Sequence, residues 1–399
     1  MNTAGTTPVV RWGILGTGVV ARAFAEDLCL VPGAVLSAVA SRQTERAHAF
    51  ANQFRARRAH DTVEALAGDD DVDIVYVASP HDRHREHCLA CLSAGRALLC
   101  EKPFARTAAE AREVIDQARR SRRFCMEAMW MRFHPLLLKV RSMVRSGDLG
   151  QIRLLTADFG YPTPFDPDNR FFDPRQGGGA LLDRGVYLIS LAHFLLGTPA
   201  EIVGRASIGP TGVDEQESLL CSHDGGALAV LTSSLRSRLR NEAVIIGTHG
   251  QIRIHEPFYA PRRVSWTRSV EPTGTPGRVM PTGGWKTRIK RSRLFRRAFE
   301  TIGRPVLESM RRNTRSIAHH AAGHGYEFEA AEAMRCLGEG LMESPLMPLD
   351  DTLAILDSTD RLRRSWGFAF PDESLGQQGA KPPTEPSPAS QLGHVHGGQ

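Results

Sequence analysis

Glycine spacing near the start of the chain constrains the fold more than any other feature. Gly16-Thr17-Gly18-Val19-Val20-Ala21 lies between a β-rich apolar run, Val9 to Leu15, and a helical stretch, Val19 to Leu30. In such a GxGxxA turn the first glycine permits a tight bend, and the second lets the backbone approach a pyrophosphate. Ala21 is small enough for the helix to pack closely on the strand, and the helix N-terminus offers free N–H groups to phosphate. A GxG in a merely structural turn is common, so the context decides. Short apolar runs recur at Val35 to Ala40, Ile74 to Ala78 and Ala97 to Cys100, separated by helix-like segments such as Glu45 to Phe54 and His84 to Ala94. Short buried strands alternating with helices require parallel pairing through right-handed crossovers. The expected class is α/β, a Rossmann-type doubly wound parallel sheet, with a dinucleotide on Gly16, Thr17, Gly18, Val19 and Val20.

The chain has 399 residues, too many for one ordinary core, so a second domain is expected. From about Met126 the pattern changes to longer strands, such as Ile152 to Phe159, Leu219 to Ser222, Ala227 to Ser234, Glu242 to Ile246 and Gln251 to His255. These are joined by glycine turns and point to an α+β domain on a mixed, largely antiparallel sheet. Phe328 to Leu341 and Asp351 to Trp366 read as closing helices. The expected organisation is a leader over 1–8, the nucleotide domain over 9–127 and a substrate domain over 128–371. A tail over 372–399, rich in Pro, Gly, Ser and Gln, is expected to be disordered.

Seven cysteines without regular spacing argue for a reducing compartment, with the cytoplasm the default. Cys88 and Cys91 form a lone CxxC without a second pair at zinc spacing, so no metal is expected. The opening MNTAGTTPVV has no charged region followed by an apolar core, and no apolar run reaches bilayer length, so neither export nor an integral membrane segment is expected. The net charge of +6 is mild for this size and names no nucleic-acid partner.

The second strand ends without the acid that usually binds the ribose hydroxyls of NAD. Instead it ends at Ser41-Arg42, with Arg46 one helical turn further on. A hydroxyl and guanidinium groups suit a 2′-phosphate, so NADP(H) is preferred, NAD remaining possible. Arg46 reads equally well as a solvated helix residue. Two further strand ends, Ser79-Pro80-His81-Asp82-Arg83-His84 and Cys100-Glu101-Lys102-Pro103, belong at the carboxyl edge where such sheets bind ligands.

With these residues in place, the chain resembles the Gfo/Idh/MocA oxidoreductases. Downstream, Met126-Glu127-Ala128-Met129-Trp130-Met131-Arg132-Phe133 and Gly177-Gly178-Gly179-Ala180-Leu181-Leu182-Asp183-Arg184-Gly185-Val186-Tyr187 are similar to the branch of dimeric dihydrodiol dehydrogenases and NADP-dependent D-xylose dehydrogenases. Gly323 to Ala330 and Glu343 to Pro348 continue the likeness. The resemblance implies that Lys102 is catalytic with Tyr187 as its acid/base partner, and that the protein is a homodimer or larger homo-oligomer. The chemistry is coherent: a phenol near an ammonium can take the alcohol proton while hydride leaves, and the positive charge favours phenolate. Pro103 restricts Lys102 to extended backbone. Ser79, His81, His84 and Glu101 are expected beside the cofactor, a capping or surface role being the alternative for His84. Asp183, Trp130, Arg132 and Phe133 are expected at the substrate, against readings as a helix cap and as core packing with a snorkelled charge. Tyr187-Leu188-Ile189-Ser190 stands where inositol dehydrogenases carry His-x-x-Asp, which argues against inositol, and His193 reads as structural.

The function expected is an NADP(H)-dependent oxidoreductase acting on a vicinal diol or a pyranose sugar. The alternatives are a sugar dehydrogenase or reductase of other stereochemistry, and a catalytically silent nucleotide-binding regulator. A basic stretch over about 271–316 carries apolar residues at helical spacing. It fits an anionic surface or, more simply, a helix covering its own protein, and it names no partner.

Overall fold

The computed structural model describes residues 8–268, 314–371 and Glu373. The leader up to residue 7, the basic stretch apart from Thr314, Arg315 and Ser316, and the tail apart from Glu373 lie outside the described residues.

The first half alternates as its pattern requires: β1 (Val10–Leu15), α1 (Val19–Leu28), β2 (Ala34–Ala40), α2 (Thr44–Phe54), β3 (Arg58–His60), α3 (Val63–Ala67), β4 (Ile74–Val77), α4 (His84–Ser93), β5 (Ala97–Glu101), α5 (Ala108–Ser121) and β6 (Cys125–Ala128). All six strands are parallel, in the order β3-β2-β1-β4-β5-β6. β1, β4 and β5 are almost wholly buried, as continuous apolar strands covered on both faces must be. The order reverses direction between β1 and β4, and a crevice opens at such a switch point. Cys88 and Cys91 are buried on α4.

The second half builds α6 (Pro135–Arg145), β7 (Ile152–Gly160), α7 (Val186–Leu196), β8 (Glu201–Ile208), β9 (Asp214–Ser222), β10 (Leu228–Ser234), β11 (Ala243–Gly247), β12 (Gly250–Ile254), β13 (Arg263–Arg268) and β14 (Thr314–Ala318). The eight strands form one sheet, β14-β13-β12-β11-β7-β10-β9-β8, in which β7 and β10 are parallel and the other neighbours antiparallel. Its inner face, including Leu155, Leu219, Ala229, Leu231, Ile245 and Ile252, packs into the core. On the outer face Val203, Leu220 and Val230 sit side by side in register and are 48%, 43% and 41% exposed.

Contrary to expectation, one apolar helical run, Pro174–Leu196, is long and apolar enough to cross a bilayer. Its most apolar 18-residue window is 89% buried inside the fold, which accounts for its composition. The chain then returns to the first sheet. α8 (Tyr326–Gly338) starts under a cap supplied from α1, where Asp27 accepts the N–H groups of His324, Gly325 and Tyr326. α9 (Leu349–Ser365) packs on α5 and β6; Asp360 accepts the Ala108 N–H at 3.0 Å, and Thr352 donates to Glu127 at 2.9 Å.

Candidate active site

A cavity of about 730 Å³ opens at the carboxyl edge of the first sheet, over the β1/β4 switch point. The turn after β1 forms its floor. Gly16 has φ +117°, and a Cβ there would lie 2.5 Å from the Ala78 carbonyl oxygen, so a side chain is excluded. A Cβ at Gly18 would meet nothing, and Val19 at the start of α1 is 86% exposed. The helix N-terminus is thus open to an incoming phosphate, and the residues present fit a dinucleotide. Gly16, Thr17, Gly18, Val19, Val20, Ser41, Arg42, Arg46, Ser79, His81, Glu101 and Lys102 all line this cavity. Arg42 and Arg46 are exposed.

Lys102 enters from the end of β5. Its ammonium donates to the Asp183 carbonyl at 3.0 Å, stands 3.9 Å from the Asp183 carboxylate, and lies 4.6 Å from the centre of the Tyr187 ring. Burial lowers its pKa, opposed by the charges of Asp183 and Glu101. Glu101 accepts from the Tyr76 hydroxyl and from the Lys102 N–H, and burial raises its pKa despite Lys102.

Tyr187 lies behind Lys102, 6% exposed, and its hydroxyl accepts the Trp130 Nε1–H at 2.7 Å. The expectation that a nearby ammonium draws this phenol toward phenolate is not met. Lys102 lies over the ring face, and burial holds the Tyr187 pKa well above its usual value.

Arg132, Phe133, His84 and Trp130 lie outside the cavity lining, and Asp183 and Tyr187 adjoin it only through their contacts with Lys102. Arg132 is fully buried, its guanidinium donating to the Ser190 hydroxyl and carbonyl and to Asp351, and Phe133 is packed in the core. A buried charge needs partners, and Arg132 finds them within its own domain. His84 is also fully buried: Nδ1 lies 2.9 Å from the Pro103 carbonyl and Nε2 2.8 Å from that of Ser79. It ties two strand-end turns together. Burial lowers its pKa to about 4, although both carbonyls favour the charged ring. Trp130 is not in the cavity wall; it touches the site through Tyr187.

Sequence reasoning missed the roof. Arg170, Phe171 and Gln176, together with Arg83, Glu86 and His87 from the β4 side, complete the lining. The roof segment has no periodicity to mark it. Its signal was Gly177-Gly178-Gly179, where a Cβ at Gly178 would meet three carbonyl oxygens at 2.9 Å, a sign of tightly packed backbone. The π-helical turn Leu181–Gly185, which presents Asp183, is held from β9: Asp214 accepts the Leu181 N–H at 2.7 Å, and Glu217 accepts from Ser233. Both acids are buried; burial pushes Asp214 up to about 7 and Glu217 well up, the neighbouring Asp214 adding to the latter.

Comparison with known proteins fits this geometry. Residues 10–129 match the oxidoreductase family model with an NAD-binding Rossmann fold, and residues 137–253 match the GFO/IDH/MocA C-terminal domain. The mouse (Mus musculus) trans-1,2-dihydrobenzene-1,2-diol dehydrogenase is 32% identical over 91% of this chain and 99% of its own length. Its Homo sapiens counterpart is 30% identical over the same shares. Among solved structures, aldose-aldose oxidoreductase from Caulobacter crescentus superposes with a TM-score of 0.71 at 21% identity, over 90% of this chain and 98% of that one. Levoglucosan dehydrogenase in complex with NADH and levoglucosan gives 0.73 at 18%, over 90% and 97%. A 3-ketoreductase from Actinomadura kijaniata in complex with NADP and TDP-benzene gives 0.70 at 24%, over 89% and 97%. At these identities the structures speak for the fold.

Proposed function

This chain belongs to the Gfo/Idh/MocA family of oxidoreductases, and from that premise we propose that it transfers hydride between NADP(H) and a hydroxyl- or carbonyl-bearing carbon of a vicinal diol or pyranose sugar. The observation that carries this reading is the pair of chemically different ends of one cavity. Ser41, Arg42 and Arg46 stand at the β2 end and Lys102 at the β5 end, with the β1 and β4 turns between them in the sheet order. The β2 end offers guanidinium donors and no carboxylate to the ribose, which supports NADP(H) over NAD(H). The names of the relatives support the diol or sugar.

Bound nicotinamide would supply the hydride acceptor in oxidation and the donor in reduction. The protein residues do the rest. The N–H groups after Gly16 would hold the pyrophosphate. Lys102, its ammonium kept at the cavity wall by Asp183, stabilises negative charge developing on the substrate oxygen. In reduction Tyr187, which burial keeps as a phenol, gives its proton to that oxygen and is reprotonated from solvent; in oxidation it first loses its proton to solvent and its phenolate then takes the proton of the alcohol.

All seven cysteines are free, which supports the cytoplasmic reading. The test is nicotinamide absorbance against a panel of vicinal diols and aldoses with each cofactor. Turnover with NADP+ is expected, and Arg42→Ala should weaken NADP(H) more than NAD(H). Silence across the panel would refute the enzyme reading, and equal losses for both cofactors would refute the cofactor assignment.

A further inference from the structure

The cations around the reaction end of the cavity differ in how firmly their donors are used. Arg175 grips Asp173 through Nε and Nη2, each at 2.9 Å. Arg184, nearly buried, donates to the carbonyls of Tyr161 and Ser234 and to the Thr163 hydroxyl. Arg170 is held loosely. Its two terminal nitrogens both reach a single oxygen, Asp183 Oδ1, at 3.4 Å, longer than a charge-assisted bond prefers. Its side chain is 47% exposed and lines the cavity beside Lys102, while the Phe171 ring lies 4.0 Å beneath the guanidinium and fixes its plane. The same Asp183 oxygen is 3.9 Å from the Lys102 ammonium.

The Arg170 guanidinium lines the cavity and the Asp183 carboxylate, 13% exposed, lies against it and against Arg184 at 3.6 Å, a few ångströms from Lys102, so an acceptor and several donors stand together at this end. A hydroxyl both donates and accepts, so one alcohol group can satisfy both partners. An incoming anion is served poorly, because Asp183 repels it. We infer that Arg170 and Asp183 together read the hydroxyl next to the reacting carbon, so that Arg170 is a specificity-determining residue selecting vicinal diols over mono-alcohols. The inference rests on the hydride-transfer reading above for the place of the reacting carbon. Lys102 engages the oxygen that changes oxidation state, and the second hydroxyl donates to Asp183 and accepts from Arg170.

The test compares trans-cyclohexane-1,2-diol with cyclohexanol in the full-length protein. For the wild type, kcat/KM should favour the diol by about tenfold to a hundredfold, the effect of one hydrogen bond to a charged group. In Arg170→Met that ratio should fall close to one, carried by KM for the diol, and Arg170→Lys should restore part of it. Arg170→Gln provides the same comparison if the methionine variant unfolds, and melting temperatures identify that case. Calorimetric titration of both alcohols into NADPH-loaded protein gives the same ratio without turnover. Turnover whose diol preference survives in Arg170→Met and Arg170→Gln overturns the inference and leaves the hydride-transfer reading intact. Arg170-dependent diol preference in binding without turnover of either alcohol does the reverse. No diol preference in wild-type binding overturns the inference outright.

Discussion

The Tyr187 phenol accepts the Trp130 indole N–H and lies beneath the Lys102 ammonium, and the proposed mechanism makes it the proton donor. If Tyr187 is that donor, Tyr187→Phe leaves cofactor affinity near normal and lowers turnover by on the order of a hundredfold to ten-thousandfold. Lys102→Met acts in the same direction. Turnover, cofactor affinity and melting temperature measured together decide this, and a phenylalanine variant that is slightly less stable but fully active would make Tyr187 a core residue. At this scale the readable residues were those adjoining a strand end. Gly16, Ser41, Ser79 and Lys102 follow strands of the first sheet and Glu101 ends one, and topology alone brings those ends together. Arg132 was misjudged for the opposite reason. Its partners Ser190 and Asp351 lie 58 and 219 positions away, so no local pattern distinguishes it from an arginine at a pocket rim.

Elements follow the same rule of local legibility. The strands of the first sheet announce themselves as short apolar runs, whereas α7 does not look like a surface helix. From Val186 to Leu195 every residue is buried, so the helix has no polar face to set a period. The short edge strand β3 and the half-exposed β8 carry equally weak signals. The turn Leu181–Gly185 depends on the buried pair from β9, and this gives a pH dependence. Asp214 is raised from an ordinary carboxyl value to about 7. Stability from its protonated form is therefore complete below the usual carboxylate range and is lost as pH rises through about 7. Asp214→Asn retains the acceptor for the Leu181 N–H without the titration. Between pH 4 and 8 the melting temperature of the wild type should fall more steeply than that of the variant, and parallel curves would show that Asp214 is not the titrating group.

For the whole molecule, the outer face of the eight-stranded sheet is the unresolved surface. Leu228 is 42% exposed there and continues the apolar strip of Val203, Leu220 and Val230, and such a strip tends to associate. We propose that a second copy covers it. Leu220→Glu should convert a dimer in sedimentation to a monomer that remains folded, whereas a wild type that sediments as a monomer at micromolar concentration would end the proposal. The mixed sheet was legible as a class, but its strand order was not, because β7 borders β10 and β11 across long stretches of chain. Then there is α9. It supplies the carboxylate that caps α5 and a threonine that bonds to Glu127, though hundreds of residues separate these groups from their partners. On the ribosome, the first sheet therefore emerges long before the helix that covers it. The bonds from Asp360 to the Ala108 N–H and from Thr352 to Glu127 can form only once residues 349–365 have been made, so this part of the packing of the first half is completed by a segment more than 200 residues downstream.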